Sequence, residues 1–268
     1  MDDVLTQALE NELLSFYLQP IVSLSTNLCT GFELLSRCPE LGFTNSSPSA
    51  HLYKSGNDDA QLKHFQLSIQ RAIATQRALS SIGFQTLAVF VNVAITDFSA
   101  ENCRWVSRMS RHKLKGICLE ISEQVDTYLT TSMIQRIHRL RHDGAAIAID
   151  DYGMGYSNDV RAASIPFDYI KLDKRFLSAP RKDPEYIELK HKIAIWRAQG
   201  KGVVMEGIEN IGHLKAAKAL NTSHAQGYHY SEALPFLDAV QWTRDLKTEQ
   251  AVIPPFLTVC MSRGLARL

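Results

Sequence analysis

The feature that most constrains this chain is an alternation. Eight short runs rich in β-branched and aromatic residues recur along it, most of them separated by helix-length segments. The runs are Ser15–Pro20, Thr30–Arg37, Thr86–Ala94, Gly116–Glu123, Ala145–Asp150, Tyr169–Asp173, Gly202–Gly207 and Ala225–Ser231. Runs of this kind read as strands. The first two lie so close together that they predict an antiparallel hairpin.

Helical spacing fills the later gaps. Ser132 to His142 carries Ile134, Ile137 and Leu140 on one face. Asp159 to Ala163 runs into Ile165-Pro166, where a short helix should stop. Tyr186 to Ala198 and Ile211 to Leu220 mix apolar and charged residues at the same period. The gap between Cys38 and Leu87 has room for more than one helix. Eight strands alternating with helices predict an α/β fold, a closed (β/α)8 barrel of the TIM type rather than an open sheet. Right-handed crossovers bring the strand ends to a common rim. With 268 residues, 45% of them hydrophobic, one core in one domain is expected. The barrel is assigned to residues 1–247 and a C-terminal tail to 248–268. The tail's apolar stretch Val252–Phe256 holds two prolines and suits docking on the barrel or on a protein partner.

Barrel enzymes carry their catalytic residues at the C-terminal ends of strands. Seven runs have a polar residue inside or at the end of an apolar stretch. These are Glu33, Asn92, Glu120, the pair Asp150 and Asp151, Lys171, Glu206 and Gln226. Any one alone is more often an edge or surface residue. Seven consecutive strands need another reason. Buried carboxylates are costly unless paired or bound to metal, and Lys171 is the only cation in the set. Oxygen donors without Cys or His suit Mg²⁺ or Mn²⁺ better than zinc. Adjacent strand side chains point to opposite faces, so Asp150 and Asp151 share a site only if the strand ends there, as Gly153 and Gly155 suggest. Two such cations clamp a phosphodiester for in-line attack. Schiff-base chemistry at Lys171 is the rival, disfavoured because the acids keep the ammonium charged.

Other signals exclude or carry little. The net charge is +1 and no long basic stretch stands out, so a DNA-binding surface is not expected. Five cysteines, none in a Cys-x-x-Cys pair, argue against a disulfide framework and fit a reducing, cytoplasmic setting. The N-terminus lacks a signal-peptide pattern, and no apolar stretch is long enough for a membrane span. His138 and His142 sit among Arg136, Arg139 and Arg141 and read as a solvated basic face. Met205 and Tyr228 read as packing residues, and Cys118 as a small apolar filler.

A set of motifs, in order, adds a resemblance. It comprises Gln19-Pro20-Ile21-Val22, Glu33-Leu34-Leu35 with Arg37, Val91-Asn92-Val93 and Leu119-Glu120-Ile121-Ser122-Glu123. It continues with Asp150-Asp151-Tyr152-Gly153-Met154-Gly155-Tyr156-Ser157, Ile170-Lys171-Leu172-Asp173, Glu206-Gly207-Ile208-Glu209 and Gln226-Gly227-Tyr228. The set resembles the EAL-domain family of cyclic di-GMP phosphodiesterases. The resemblance implies metal-dependent hydrolysis of cyclic di-GMP to linear pGpG by in-line water attack at a two-metal site, lowering a second messenger. By motif position, Glu33, Asn92, Glu120 and Asp150 would hold one Mg²⁺ or Mn²⁺, and Asp150, Asp151 and Glu206 a second. Lys171, Glu206, Glu33 and Gln226 form the implied catalytic set, with Lys171 helping to activate the water and Gln226 supporting it. Gln19, Leu35, Arg37 and Asp173 would contact substrate, while Glu123 and Glu209 would support loops. The family further implies an antiparallel first strand and a homodimer. Three departures stand out. Leu34 replaces the signature Ala, Met154 replaces a Thr or small residue, and residues 43–57 lack the usual Pro- and Glu-containing pattern. They leave an alternative open: a low-activity or inactive module that binds cyclic di-GMP or a partner protein.

Overall fold

The computed structural model describes residues 8–9, 13–43, 48, 52, 56–111, 113–122, 129–153 and 158–252, with side chains described up to Thr248. Glu123, Met154, most of the 43–57 segment and the chain beyond 252 lie outside the described residues. The strands are β1 Ser15–Ser23, β2 Cys29–Arg37, β3 Ala88–Ala94, β4 Ile117–Ser122, β5 Ala146–Tyr152, β6 Tyr169–Leu172, β7 Gly202–Met205 and β8 His224–Ala225. They close in chain order into a barrel. β1 and β2 form the expected antiparallel hairpin, in register from Ser15 opposite Arg37 to Pro20 opposite Phe32. β1 also runs antiparallel to β8, and the remaining neighbours are parallel. The connection between β1 and β2 is too short for a crossover, so this pair can only reverse direction.

The helices are α1 Asp58–Ser81, α2 Ala100–Ser110, α3 Thr131–His142, α4 Asn158–Ser164, α5 Pro184–Ala198, α6 Ile211–Ala219 and α7 Phe236–Val252. Their ends follow local chemistry. Asn57 caps α1 by accepting from the Ala60 amide at 3.1 Å. Asp183 caps α5 with Pro184 in the first turn, where its missing N–H costs nothing. Among the described residues between β2 and β3, a 3-10 turn at Pro39–Leu41 comes first and α1 is the long helix. α7 runs across the boundary drawn at 247 and lies against β1, the strand that no crossover helix covers.

Two expectations need correction. The eighth strand was expected over Ala225–Ser231 but ends at Ala225, because the chain then folds into a turn in which Tyr230 and Ser231 donate to the Gly227 carbonyl. The fifth strand was expected to stop at Asp150 but continues to Tyr152 through an irregularity, with Asp151 in the left-handed region at φ +51°.

The outer faces of the strands and the inner faces of the helices share one large core. Inside the barrel, Ile21, Phe90, Cys118, Ala148 and Val204 form a separate apolar plug, with Tyr169 packed against it. Phe90 fits there because Gly31 has no side chain; a Cβ would stand 3.1 Å from the Phe90 ring and 2.7 Å from the Ala88 carbonyl oxygen. This plug is the floor beneath the candidate site.

Candidate active site

Strand periodicity builds the site. Side chains two residues apart share a face. Asn92, Glu120, Asp150, Lys171 and Glu206 each follow by two an inward-facing floor residue: Phe90, Cys118, Ala148, Tyr169 and Val204. Glu33 stands in the same relation to Gly31, and Gln226 follows β8 directly. The strands therefore deliver a ring of polar groups one layer above the apolar plug, at the C-terminal rim.

Lys171 lies at the centre, 1% exposed. Its Nζ donates to Glu33 Oε2 at 3.0 Å and to Glu120 Oε1, pairs with Glu206 Oε1 at 2.7 Å and lies 3.5 Å from Asp150 Oδ1. Asn92 Nδ2 donates to Glu33 Oε1 at 2.8 Å. Gln226 Nε2 donates to Glu33 Oε2 at 2.6 Å and to Gln19 Oε1 at 3.1 Å. Glu33 is thus held from three sides. The left-handed backbone at Asp151 brings its carboxylate beside those of Asp150 and Glu206, with oxygens within 4.8 Å of one another. Glu33, Glu120 and Glu206 make a second group within the same limit.

One ammonium does not satisfy these acids. Burial pushes the Glu33 carboxyl up, yet Lys171, Asn92 and Gln226 hold it below its usual value. Burial, then Glu33, lifts Glu120 well above the carboxylate range, with Asp150 and Glu206 adding to it. Asp151 rises to about 6, first through Asp150 and then through burial. Glu206 rises to about 8, chiefly through burial. Lys171 is pulled down by burial, but the four carboxylates around it hold its pKa well above normal. Glu120 Oε2, Asp150 Oδ1 and Gln226 Oε1 are buried without a hydrogen-bond partner. Orphaned oxygens of this kind are costly. Excess carboxylate, orphaned oxygens and two clusters of oxygen donors fit hard divalent cations.

The remaining candidates fall into two groups. Glu209 is exposed beside the centre on the wall of a cleft of about 290 Å³, which Gln19, Glu33, Glu206 and Gln226 also line. Arg37 is 7% exposed at the end of β2, donating to the Ser36 carbonyl at 2.9 Å, and Leu35 is half-buried on the same strand. Asp173 accepts from the Arg175 amide at 2.8 Å, so its carboxylate caps a 3-10 turn. Two further residues, Lys174 and Tyr228, line the cleft. Lys174 did not figure among the expected site residues. Tyr228 was read as packing but is 59% exposed. Its place two residues after Gln226 was the available signal.

Residues 2–233 match the model of the EAL domain. The chain belongs to the EAL domain family. Among similar proteins, the cyclic di-GMP phosphodiesterase RocR of Pseudomonas aeruginosa is 30% identical over 242 residues, covering 87% of this chain and 61% of RocR. The probable cyclic di-GMP phosphodiesterase PdeG of Escherichia coli is 24% identical over 253 residues, covering 90% of this chain and 48% of PdeG. This EAL domain thus spans about half to three-fifths of the length of these relatives. Its fold is that of an EAL domain protein from Listeria monocytogenes, with a TM-score of 0.75 at 20% identity over 90% of this chain and 96% of that one. The PaMucR phosphodiesterase solved with c-di-GMP also has a TM-score of 0.75, at 21% identity over 87% of this chain and 96% of that one.

Proposed function

We propose that this EAL domain is a metal-dependent phosphodiesterase that opens cyclic di-GMP to linear pGpG. The carrying observation is the cluster of Glu33, Glu120, Asp150, Asp151 and Glu206 around the single buried Lys171, with Glu120 Oε2 orphaned and Asp150 Oδ1 held only by a 3.5 Å ion pair to Lys171. The relatives named as cyclic di-GMP phosphodiesterases support the choice of substrate.

In this reading Glu33, Asn92, Glu120 and Asp150 would hold one Mg²⁺ or Mn²⁺, and Asp150, Asp151 and Glu206 would hold a second. Bound cations would neutralise the carboxylates and polarise the phosphodiester. The chain's own groups do the rest. Lys171, anchored by Glu33 and Glu206, orients the attacking water and steadies charge as it transfers its proton. Gln226 and Asn92 keep the Glu33 carboxylate in one rotamer. Arg37 and Gln19 meet the dinucleotide at the rim, with Leu35 and Asp173 beside them. Glu209 stiffens the wall, its amide donating to His213 Nδ1 at 3.3 Å. The water oxygen bonds to phosphorus as the P–O3′ bond breaks, and a proton ends on the 3′ oxygen. Cleavage in ¹⁸O-labelled water tests this: one label on the 5′ phosphate of pGpG is expected, whereas label on the ribose would sink the reading.

A further inference from the structure

Charge is spread unevenly over this chain. Residues 102–119 and 127–142 hold eight Lys and Arg and no Asp or Glu, whereas the rest holds 21 of the 29 cations and all 28 acids. The fold brings the two stretches together, because α2 and α3 are neighbours. Arg104, Arg108 and Arg111 recur at helical spacing and are exposed along one face of α2. His138, Arg139 and His142 stand together on the exposed face of α3. Lys113 and Lys115, exposed in the link from α2 to β4, complete the surface. That link is tied to the end of α3. The Leu114 amide donates to the Asp143 carbonyl at 2.9 Å, and a Cβ on Gly144 would stand 3.1 Å from the Lys115 amide nitrogen. The acids nearby are already engaged: Asp143 accepts from Ser107 at 2.6 Å, and Asp168 pairs with Arg141 at 2.5 Å. Glu101 lies at the opposite end of α2, in its first turn. A helix dipole favours cations in the last turn, which covers Arg108 and Arg139. It does not reach Arg104 or the two lysines beyond the helix. Both links lead into the N-terminal ends of their strands, so this surface borders the rim opposite the candidate site.

We propose that this basic surface docks the domain on an anionic lipid bilayer, with the active-site cleft turned away from the membrane and open to solvent. The inference stands apart from the reading of the site. Clustered Lys and Arg are attracted to the negative potential of anionic headgroups. Met109, 38% exposed beside Arg108, adds an apolar tip of the kind that enters the headgroup layer. A nucleic-acid phosphate backbone has no use for it. A second copy of the chain is the poorer partner. Five of the acids that balance the charge, Glu33, Glu120, Asp150, Asp151 and Glu206, stand in the barrel's central cluster rather than on an outer helical face.

The test is co-sedimentation of the full chain with vesicles of phosphatidylcholine alone or with about 30% phosphatidylglycerol, at low and high salt. Wild type is compared with Arg104→Glu/Arg108→Glu/Arg111→Glu. The control is Lys190→Glu/Lys215→Glu/Lys218→Glu, which changes the net charge equally at exposed positions of α5 and α6. Wild type is expected to sediment with the anionic vesicles only and to be released by salt. The α2 variant should bind about tenfold or more weakly, and the control within about twofold of wild type. Thermal melts check that each variant is folded. Lys113→Glu/Lys115→Glu, outside the helix, repeats the test if the α2 variant melts early. Wild type that ignores anionic vesicles overturns the proposal, as does an α2 variant that binds as wild type does. A control that loses as much as the α2 variant overturns it too, because net charge then suffices. Tighter binding to a DNA duplex than to vesicles at equal phosphate concentration overturns the choice of a bilayer.

Discussion

Lys171 Nζ faces carboxylates from β2, β4, β5 and the end of β7, and at 1% exposure it has no solvent to replace them. Lys171→Met would leave the acids with no cation of the chain's own at their centre. Removing one member of a buried charged set costs about 3–5 kcal/mol. The variant is expected to lose roughly that much stability in urea titrations without added cations. Its kcat for cyclic di-GMP should fall about 100-fold or more. A kcat within twofold of wild type would remove Lys171 from the chemistry. The sequence made this cluster legible because charge inside an apolar strand is expensive, and it recurred on strand after strand. It did not reveal how Asp150 and Asp151 converge. Their convergence depends on a left-handed residue inside a strand, which no local pattern announces. Tyr228 was misread for a related reason: its exposure depends on which turn follows β8.

At the level of elements, the first seven strands were legible to within a few residues: β2 to β7 have parallel neighbours, are largely buried on both faces and read as apolar runs, while the antiparallel β1 was marked by its short link to β2. β8 was not. Its apparent run from Ala225 to Ser231 is mostly the turn that carries Gln226 and Tyr228. α2 also went unread, since only Cys103, Val106, Ser107 and Ser110 of it are buried. The β8 turn makes a prediction of its own. Gly227→Ala forces a Cβ against the Ile208 backbone, which cannot yield as a side-chain tip could. A loss of about 3 kcal/mol in urea unfolding is expected, together with a fall in kcat as Gln226 shifts from Glu33. Wild-type stability in this variant would mean that the turn is looser than its hydrogen bonds indicate.

The whole barrel couples its stability to the site. Glu206 rises from 4.5 to about 8 and Asp151 from 3.8 to about 6. A carboxyl with a raised folded pKa contributes stability below its unfolded pKa and loses that contribution as pH rises through the folded value. The cation-free protein should therefore weaken between about pH 4 and pH 8. Cations held by the ionised carboxylates would oppose that loss. Added Mn²⁺ should raise Tm more at pH 8 than at pH 6; an equal or smaller shift at pH 8 would contradict this linkage. Closure of the sheet leaves no unpaired edge. None of the described helices is long and apolar enough to cross a membrane.

The most direct measurement is chromatography of the products formed from cyclic di-GMP by the purified chain, with Mn²⁺ and with EDTA. The account predicts pGpG with Mn²⁺ and none with EDTA. Intact cyclic di-GMP in both, or equal cleavage in both, would contradict it.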